Sequence, residues 1–204
     1  MMPFATQVSA ATLLVLLAPL LAGLALLVWI ADRQPPFYLA RRVGRNGQSF
    51  RMVKFRTMRT KQPGDSPIAA VGDDRVTGLG RFLRNAKLDE LPQLFNILSG
   101  DMTFFGPRPE DPGIVARSYD DEMRRSLEYM PGLFSPGTLW AMKNVRLLEN
   151  AADPETAYAR DILPTRLALD TAYFRQETAR ANLHLILGTA SLLLKRLGSE
   201  KHRE

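Results

Sequence analysis

From Ala10 to Ile30 nearly every position is apolar, and no charged side chain occurs before Asp32. A helix of about twenty such residues, rising roughly 1.5 Å per residue, matches the hydrocarbon core of a bilayer. Pro19 lies near the middle of the run. It removes one backbone hydrogen bond and crowds the preceding turn, so a kink or break is predicted there. A kinked span and a segment that enters and returns to one face both satisfy these constraints. No basic residues precede the run and no small-residue cleavage site follows it before Asp32, which argues against a removed signal peptide.

The pattern then shortens. Phe37 to Met58 alternates around Arg45-Asn46-Gly47-Gln48, and Asn-Gly is a strong hairpin signal because both residues tolerate positive φ. Phe50, Met52, Lys54 and Arg56 share one strand face; Arg51, Val53, Phe55 and Thr57 share the other. Gln62 to Asp74, rich in Pro and Gly, reads as a loop. Leu79 to Leu98 reads as largely helical, ending near Gly100, with Pro92 limiting where its last stretch begins. A further helix is predicted from Gly113 to Tyr129, a loop from Pro131 to Gly137, and one or two helices from Thr156 to Leu197, interrupted near Pro164. Leu183 to Arg196 is apolar with a basic end, suited to core packing or to a membrane interface. The expected fold is mainly helical α+β, with residues 1–33 inserted in a membrane and residues 34–204 forming one catalytic-sized domain with a small hairpin and amphipathic interfacial helices.

Composition narrows the chemistry. The 204 residues include no cysteine, which excludes disulfides, thiol catalysis and zinc-thiolate sites. His184 and His202 are the only histidines, at a spacing unlike any zinc-binding helix, and His184 reads as a packing residue. Any metal is therefore a hard cation held by oxygen, with Mg²⁺ the first choice. Net charge is +6. Arg33, Arg41, Arg42, Arg45, Arg51, Lys54, Arg56, Arg59 and Lys61 follow the apolar run, with Asp32 as their one acidic neighbour. A basic cluster there suits anionic lipids, phosphate ligands and a cytoplasmic orientation. Sparse aromatics and the lack of a reading helix argue against nucleic acid.

The residues best placed for chemistry are Asp89 and Glu90, within Lys87-Leu88-Asp89-Glu90-Leu91-Pro92-Gln93-Leu94. Leu88, Leu91, Leu94, Phe95 and Leu98 would fix them against a core. Arg84 lies five residues earlier, and Arg108 is carried on a rigid Pro-Arg-Pro turn. Near a helix start, with cations around it, Asp89 would stay ionised, able to attack phosphorus and form an acyl phosphate. Glu90 could hold Mg²⁺ against donor phosphates, and Lys54 with Arg56 would form an anion clamp on one strand face. A solvated basic face and surface carboxylates are the bland alternatives.

Arg42-Val43-Gly44-Arg45-Asn46-Gly47, Lys54-Phe55-Arg56-Thr57-Met58 and the stretch from Arg75 through Gly100-Asp101-Met102 to Gly106-Pro107-Arg108-Pro109-Glu110 together resemble the bacterial sugar transferases, or monotopic phosphoglycosyl transferases, in their minimal catalytic form. The resemblance covers most of the chain from about Pro35. It implies transfer of a sugar 1-phosphate from a UDP-sugar to a polyprenol phosphate such as undecaprenyl phosphate, giving UMP and a polyprenyl diphosphate sugar. Asp89 would be the nucleophile, Glu90 the Mg²⁺ ligand, Arg84 and Arg108 the phosphate ligands, with Lys54 and Asp170 on matching positions. It further implies a re-entrant first helix in the bacterial inner membrane and a catalytic domain facing the cytoplasm. The chain departs from the family pattern at Ala18-Pro19, where Ser-Pro is frequent, and in Pro131 to Trp140. A non-catalytic membrane scaffold of a polysaccharide assembly complex is the alternative reading, a tethered nucleic-acid binder is a third, and homo-oligomerisation stays open.

Overall fold

The structure, a computed structural model, describes residues 4–59, 73–148, 151 and 153–200. It is mainly helical. The first helix, α1 (Phe4–Asp32), runs through Pro19 without a break. One lost hydrogen bond is carried by the ladder on either side of it. At about 44 Å the helix is long and apolar enough to cross a membrane. One stripe, Ala10, Leu14, Leu21, Leu24 and Val28, is buried at helical spacing against the rest of the chain, while Val15 is 75% exposed and Leu16 69%. Gln7 Nε2 donates to the Leu98 carbonyl at 3.2 Å and so ties the first turn of α1 down.

The predicted hairpin is present. Strands β1 (Phe37–Val43) and β2 (Ser49–Phe55) pair antiparallel, from Phe37 opposite Phe55 to Val43 opposite Ser49. Asn46 and Gly47 take φ of 56° and 77° at the turn, as their identities require. Both faces are used: Met52 and Phe55 are each buried, at 0% and 1% exposure. Most of the loop expected from Gln62 to Asp74 falls on residues 60–72, outside the described residues.

The expected helix from Leu79 to Leu98 is instead three pieces: α2 (Gly78–Asn85), a 3-10 turn at Leu88–Glu90, and α3 (Gln93–Ser99). Lys87 breaks it by adopting the left-handed conformation, φ 57° and ψ 18°. The ends follow local rules. Thr77 caps α2 by accepting Gly80 N–H at 2.9 Å, Pro92 precedes α3, and Gly100 closes α3 at φ 88°. The expected apolar face is also redistributed. Leu94 and Ile97 turn inward with Gln93 and Asn96, while Phe95 and Leu98 stay on the outside.

The helix expected from Gly113 to Tyr129 is likewise divided, into α4 (Pro112–Ser118), α5 (Asp121–Arg124) and a 3-10 turn at Arg125–Glu128. Asp120 stops one helix and caps the next, accepting Met123 N–H at 2.8 Å. The stretch expected as a loop from Pro131 contains strand β4 (Gly132–Phe134), parallel to β3 (Thr103–Phe105), before Ser135 caps α6 (Pro136–Lys143). The short α7 (Pro154–Ala157) passes through a widened π turn at Tyr158–Ile162 into α8 (Leu163–Phe174). Pro164 has no N–H for the carbonyl four residues back, so the chain widens there and breaks only at residues 175–178. The last helix, α9 (Ala179–Glu200), buries Leu185 and exposes Leu183, Leu187 and Leu194. His184 on it is exposed, contrary to the packing role expected.

Two cores result. One joins the α1 stripe to the hairpin, α2 and α3; the other joins Val43 to Ile114, Val115, Tyr119, Tyr158, Ile162, Leu163 and Leu167. Between them, β3 and β4 approach so closely that a Cβ on Gly132 would lie 2.1 Å from the Gly106 nitrogen. The atoms it would meet, on Gly106 and Phe105, all belong to backbone, so nothing there gives way. Gly132→Ala is expected to destabilise by about 3 kcal/mol or more, whereas Gly23→Ala, with nothing within 4 Å of the new Cβ, is expected to be neutral or stabilising by about 0.5–1 kcal/mol. Thermal unfolding in detergent, followed by circular dichroism, measures both.

Candidate active site

The site is built on the 3-10 turn between α2 and α3. Because Lys87 is left-handed, the chain turns sharply enough to bury two adjacent carboxylates, Asp89 and Glu90, each 6% exposed. Burying one ionised carboxylate is costly, and burying two side by side demands compensating cations. Glu90 receives them. Arg108 donates from Nη1 to Oε2 at 3.0 Å and from Nη2 to Oε1 at 2.8 Å, a bidentate fork. Lys87 Nζ and Lys54 Nζ approach the same Oε1 at 3.1 and 3.4 Å. Burial alone would raise the Glu90 carboxyl, but Arg108, Lys54 and Lys87 outweigh it and hold it well below the ordinary carboxylate range. Glu90 in turn raises Arg108, while burial lowers the Lys54 ammonium to about 8 against the pull of Glu90.

Asp89 is left otherwise. Its Oδ1 is buried without a hydrogen-bond partner. Burial and the neighbouring Glu90 charge raise its carboxyl against Lys54, Lys87 and Arg84. Lys54, Lys87 and Arg84 favour its ionised form, in line with the expectation from the sequence, while burial and the Glu90 charge oppose them.

The frame around this pair is tightly fixed. Asn96 Oδ1 accepts Val53 N–H, and its Nδ2 donates to the Arg51 carbonyl, both at 2.8 Å, which holds α3 against β2 with Lys54 next in line. The segment carrying Arg108 is anchored on both sides, since Gly132 N–H donates to the Pro107 carbonyl and Val43 N–H to that of Glu110, at 3.0 and 2.9 Å. Arg84 Nη2 lies 3.4 Å from Met58 Sδ, and its charge acts on Asp89 without a direct bond. Arg56 is directed elsewhere: β2 ends at Phe55, and Arg56 Nε donates to the Pro35 carbonyl at 2.9 Å rather than joining Lys54.

A second buried network lies behind Arg108. Tyr158 donates its hydroxyl proton to Glu110 Oε2 at 2.5 Å, and Arg166 Nη1 donates to the Tyr158 oxygen at 2.6 Å. Arg166 Nη2 lies 2.9 Å from Glu110 Oε2 as an ion pair outside hydrogen-bond alignment. Asp170 belongs here. Its Oδ1 accepts Gly137 N–H at 2.7 Å at the start of α6, and the charge acting on it is Arg166. Glu110 and Lys87 stood inside the recognised motifs without an assigned role. The Lys87–Glu90 pair had a readable i,i+3 spacing, and Arg166 with Asp170 share the inward face of α8 with Leu163 and Leu167. The Glu110–Arg166 contact, fifty-six positions apart, carried no local signal.

Among the described residues no cluster of three or more His, Asp or Glu side chains encloses a metal. Glu90 Oε2, with one bond from Arg108, remains as a donor. One or two carboxylate oxygens fit Mg²⁺ that takes its other ligands from water and substrate phosphate.

The profile of the bacterial sugar transferase family matches residues 4–196. The chain belongs to that family. It is 36% identical over 189 residues to a UDP-glucose:undecaprenyl-phosphate glucose-1-phosphate transferase of Caulobacter vibrioides, covering 92% of this chain and 67% of that protein. It is 34% identical over 211 residues to the exopolysaccharide production protein ExoY of Rhizobium meliloti, covering 94% of this chain and 84% of that one. A third relative, a UDP-N-acetylgalactosamine-undecaprenyl-phosphate N-acetylgalactosaminephosphotransferase of Aeromonas hydrophila, is 37% identical over 115 residues, which are 56% of this chain and 26% of that protein.

Burial raises the Asp170 carboxyl to about 6 against Arg166. The folded state therefore binds a proton that the unfolded chain, at about 3.9, has already lost. Stability from this group declines as pH rises from about 4 to 6, by roughly 3 kcal/mol in all. Asp170→Asn, whose amide oxygen can still accept the Gly137 N–H, is expected to melt above the parent at pH 8, with the difference closing towards pH 4. A difference in Tm that does not vary with pH would count against this assignment.

Proposed function

We propose that the chain transfers a sugar 1-phosphate from a UDP-sugar to a polyprenol phosphate, undecaprenyl phosphate in a bacterium, as the first step of lipid-linked glycan assembly. The observation that carries this reading is the division of labour in the buried pair. Glu90 absorbs three cations, while Asp89 keeps an unpartnered oxygen beside them. A carboxylate without donors of its own is the more basic nucleophile, and the surrounding Lys54, Lys87, Arg84 and Arg108 oppose the repulsion between it and a diphosphate. The names of the relatives support the donor and acceptor classes.

In the first step Asp89 Oδ1 attacks the sugar-linked phosphorus. The P–O bond to the uridine side breaks, UMP departs with the electron pair, and an aspartyl phosphosugar remains. In the second step an oxygen of the polyprenol phosphate attacks the same phosphorus and releases the Asp89 carboxylate. Arg108 and Lys54 meet developing charge on the phosphoryl oxygens and the leaving group. Glu90 Oε2 would hold Mg²⁺, whose chemistry is to neutralise diphosphate charge.

The lipid acceptor calls for a membrane position. The exposed apolar residues Phe82 on α2, Phe95 and Leu98 on α3, and Leu183, Leu187 and Leu194 on α9 suit an interface that α1 enters. Arg33 stacked over Trp29 at 5.0 Å, at the end of α1, suits headgroup depth. The Gln7–Leu98 bond keeps the first turn of the unbroken α1 beside α3, which supports both ends of α1 staying on the side of the membrane that carries the domain. The catalytic domain then faces the cytoplasm, where UDP-sugars are made.

UDP-glucose, UDP-galactose and UDP-N-acetylgalactosamine, offered with undecaprenyl phosphate and Mg²⁺, are expected to release UMP in at least one case. Asp89→Asn is expected to lower turnover by about 10³-fold or more while leaving Tm intact; unchanged turnover would reject the nucleophile. Because the chain has no native cysteine, Phe4→Cys and Arg33→Cys report orientation. Both are expected to react with an impermeant maleimide in inverted vesicles only, and labelling from opposite faces would instead mean a span.

A further inference from the structure

Two buried amides share one face of the segment from Leu88 to Ser99, and the fold treats them differently. Asn96, 3% exposed, has both ends of its amide bonded to the β2 backbone. Gln93, 1% exposed, has a hydrogen-bond partner for neither Oε1 nor Nε2. Gln93 and Asn96, three residues apart, share one side of α3, and Asp89 stands on the 3-10 turn that leads into that helix. That side meets β2, where Asn96 holds residues 51 and 53 and Lys54 reaches Glu90. The order along the chain places Gln93 between Asp89 and the anchored amide. Asp89 Oδ1 is unpartnered as well, so the turn and the helix after it carry three buried polar atoms with no partner in the folded chain, one on Asp89 and two on Gln93.

A buried amide with nothing to bond destabilises a fold, and an apolar side chain of the same length would not. Sites that recognise a substrate by hydrogen bonds carry such groups, which are satisfied only when that substrate is in place. We infer that Gln93 contacts the transferred sugar phosphate, an inference that rests on the reaction proposed above. Nε2 donates to a non-bridging oxygen of the phosphoryl group under attack by Asp89, and Oε1 accepts from a hydroxyl of the attached sugar. The donor edge gains strength as charge builds on phosphorus, and the acceptor edge reads the sugar. Gln93 is thus a substrate-contacting residue distinct from the cations, acting by geometry rather than charge.

The test separates this role from a structural one. Gln93→Met keeps the length of the side chain and removes both polar ends. Single-turnover release of UMP from whichever of UDP-glucose, UDP-galactose and UDP-N-acetylgalactosamine the parent uses is expected to slow by about 10²- to 10³-fold, while Tm of the full chain in detergent holds or rises. Asn96→Leu, which removes a satisfied amide, is expected to lower Tm and sets the scale for a structural loss. A Gln93→Met rate within about threefold of the parent overturns the inference. So does a slow rate accompanied by a fall in Tm like that of Asn96→Leu. In either case Asp89-dependent turnover would persist and the proposed reaction would stand; Asp89→Asn retaining turnover would overturn the reaction and the Gln93 assignment together.

Discussion

Burying Asp89 beside Glu90 is the constraint around which the molecule is arranged. Two carboxylates in a low-dielectric setting repel each other and have lost their water. The fold answers by bringing cations from three separate places: Lys54 from β2, Lys87 from the turn itself, and Arg108 from the segment after β3. Glu90 is the focus of all three, and Asp89 remains raised and unpartnered. Two adjacent carboxylates, one a methylene longer than the other, thereby come to differ in their donors: Glu90 holds all three, and Asp89 Oδ1 has none.

Holding cations from distant elements on one carboxylate requires a rigid frame. Asn96 fastens α3 to β2, and the close approach of Gly106 and Gly132 sets the segment that carries Arg108. The Glu110–Tyr158–Arg166 network holds that segment from behind, with Asp170 tying α8 to the start of α6. Arg166 also acts on Arg108 through its charge, opposing the pull of Glu90. Stability and site geometry therefore rest on the same few contacts.

The apolar surface complements this frame. α1 buries one stripe against the domain and leaves the rest of its circumference exposed, and Phe95, Leu98 and the leucines of α9 add to it. A helix that is apolar all round but covered by its own chain along only one stripe gains little by lying in water. The proposed reaction needs a lipid acceptor and a water-soluble donor to meet, and a surface of this kind bordering a buried polar site suits that.

The sequence alone determined what depends on local rules. The apolar run, the Asn-Gly hairpin and the stop at Gly100 were legible, because turns, caps and spans follow from residues within a few positions of one another, whereas Asp89, Glu90, Arg84, Arg108 and Lys54 could be named as candidates only by their residue types and motif resemblance. Only the tertiary structure decided the rest. It divided the predicted helix at Lys87, withdrew Arg56 to Pro35, joined Glu110 to Arg166, and left Gln93 unbonded while Asn96 was anchored. Each of these depends on which distant groups reach a buried atom first. A one-dimensional pattern carries no measure of that competition, which is settled by packing distance and by the energy of an uncompensated charge.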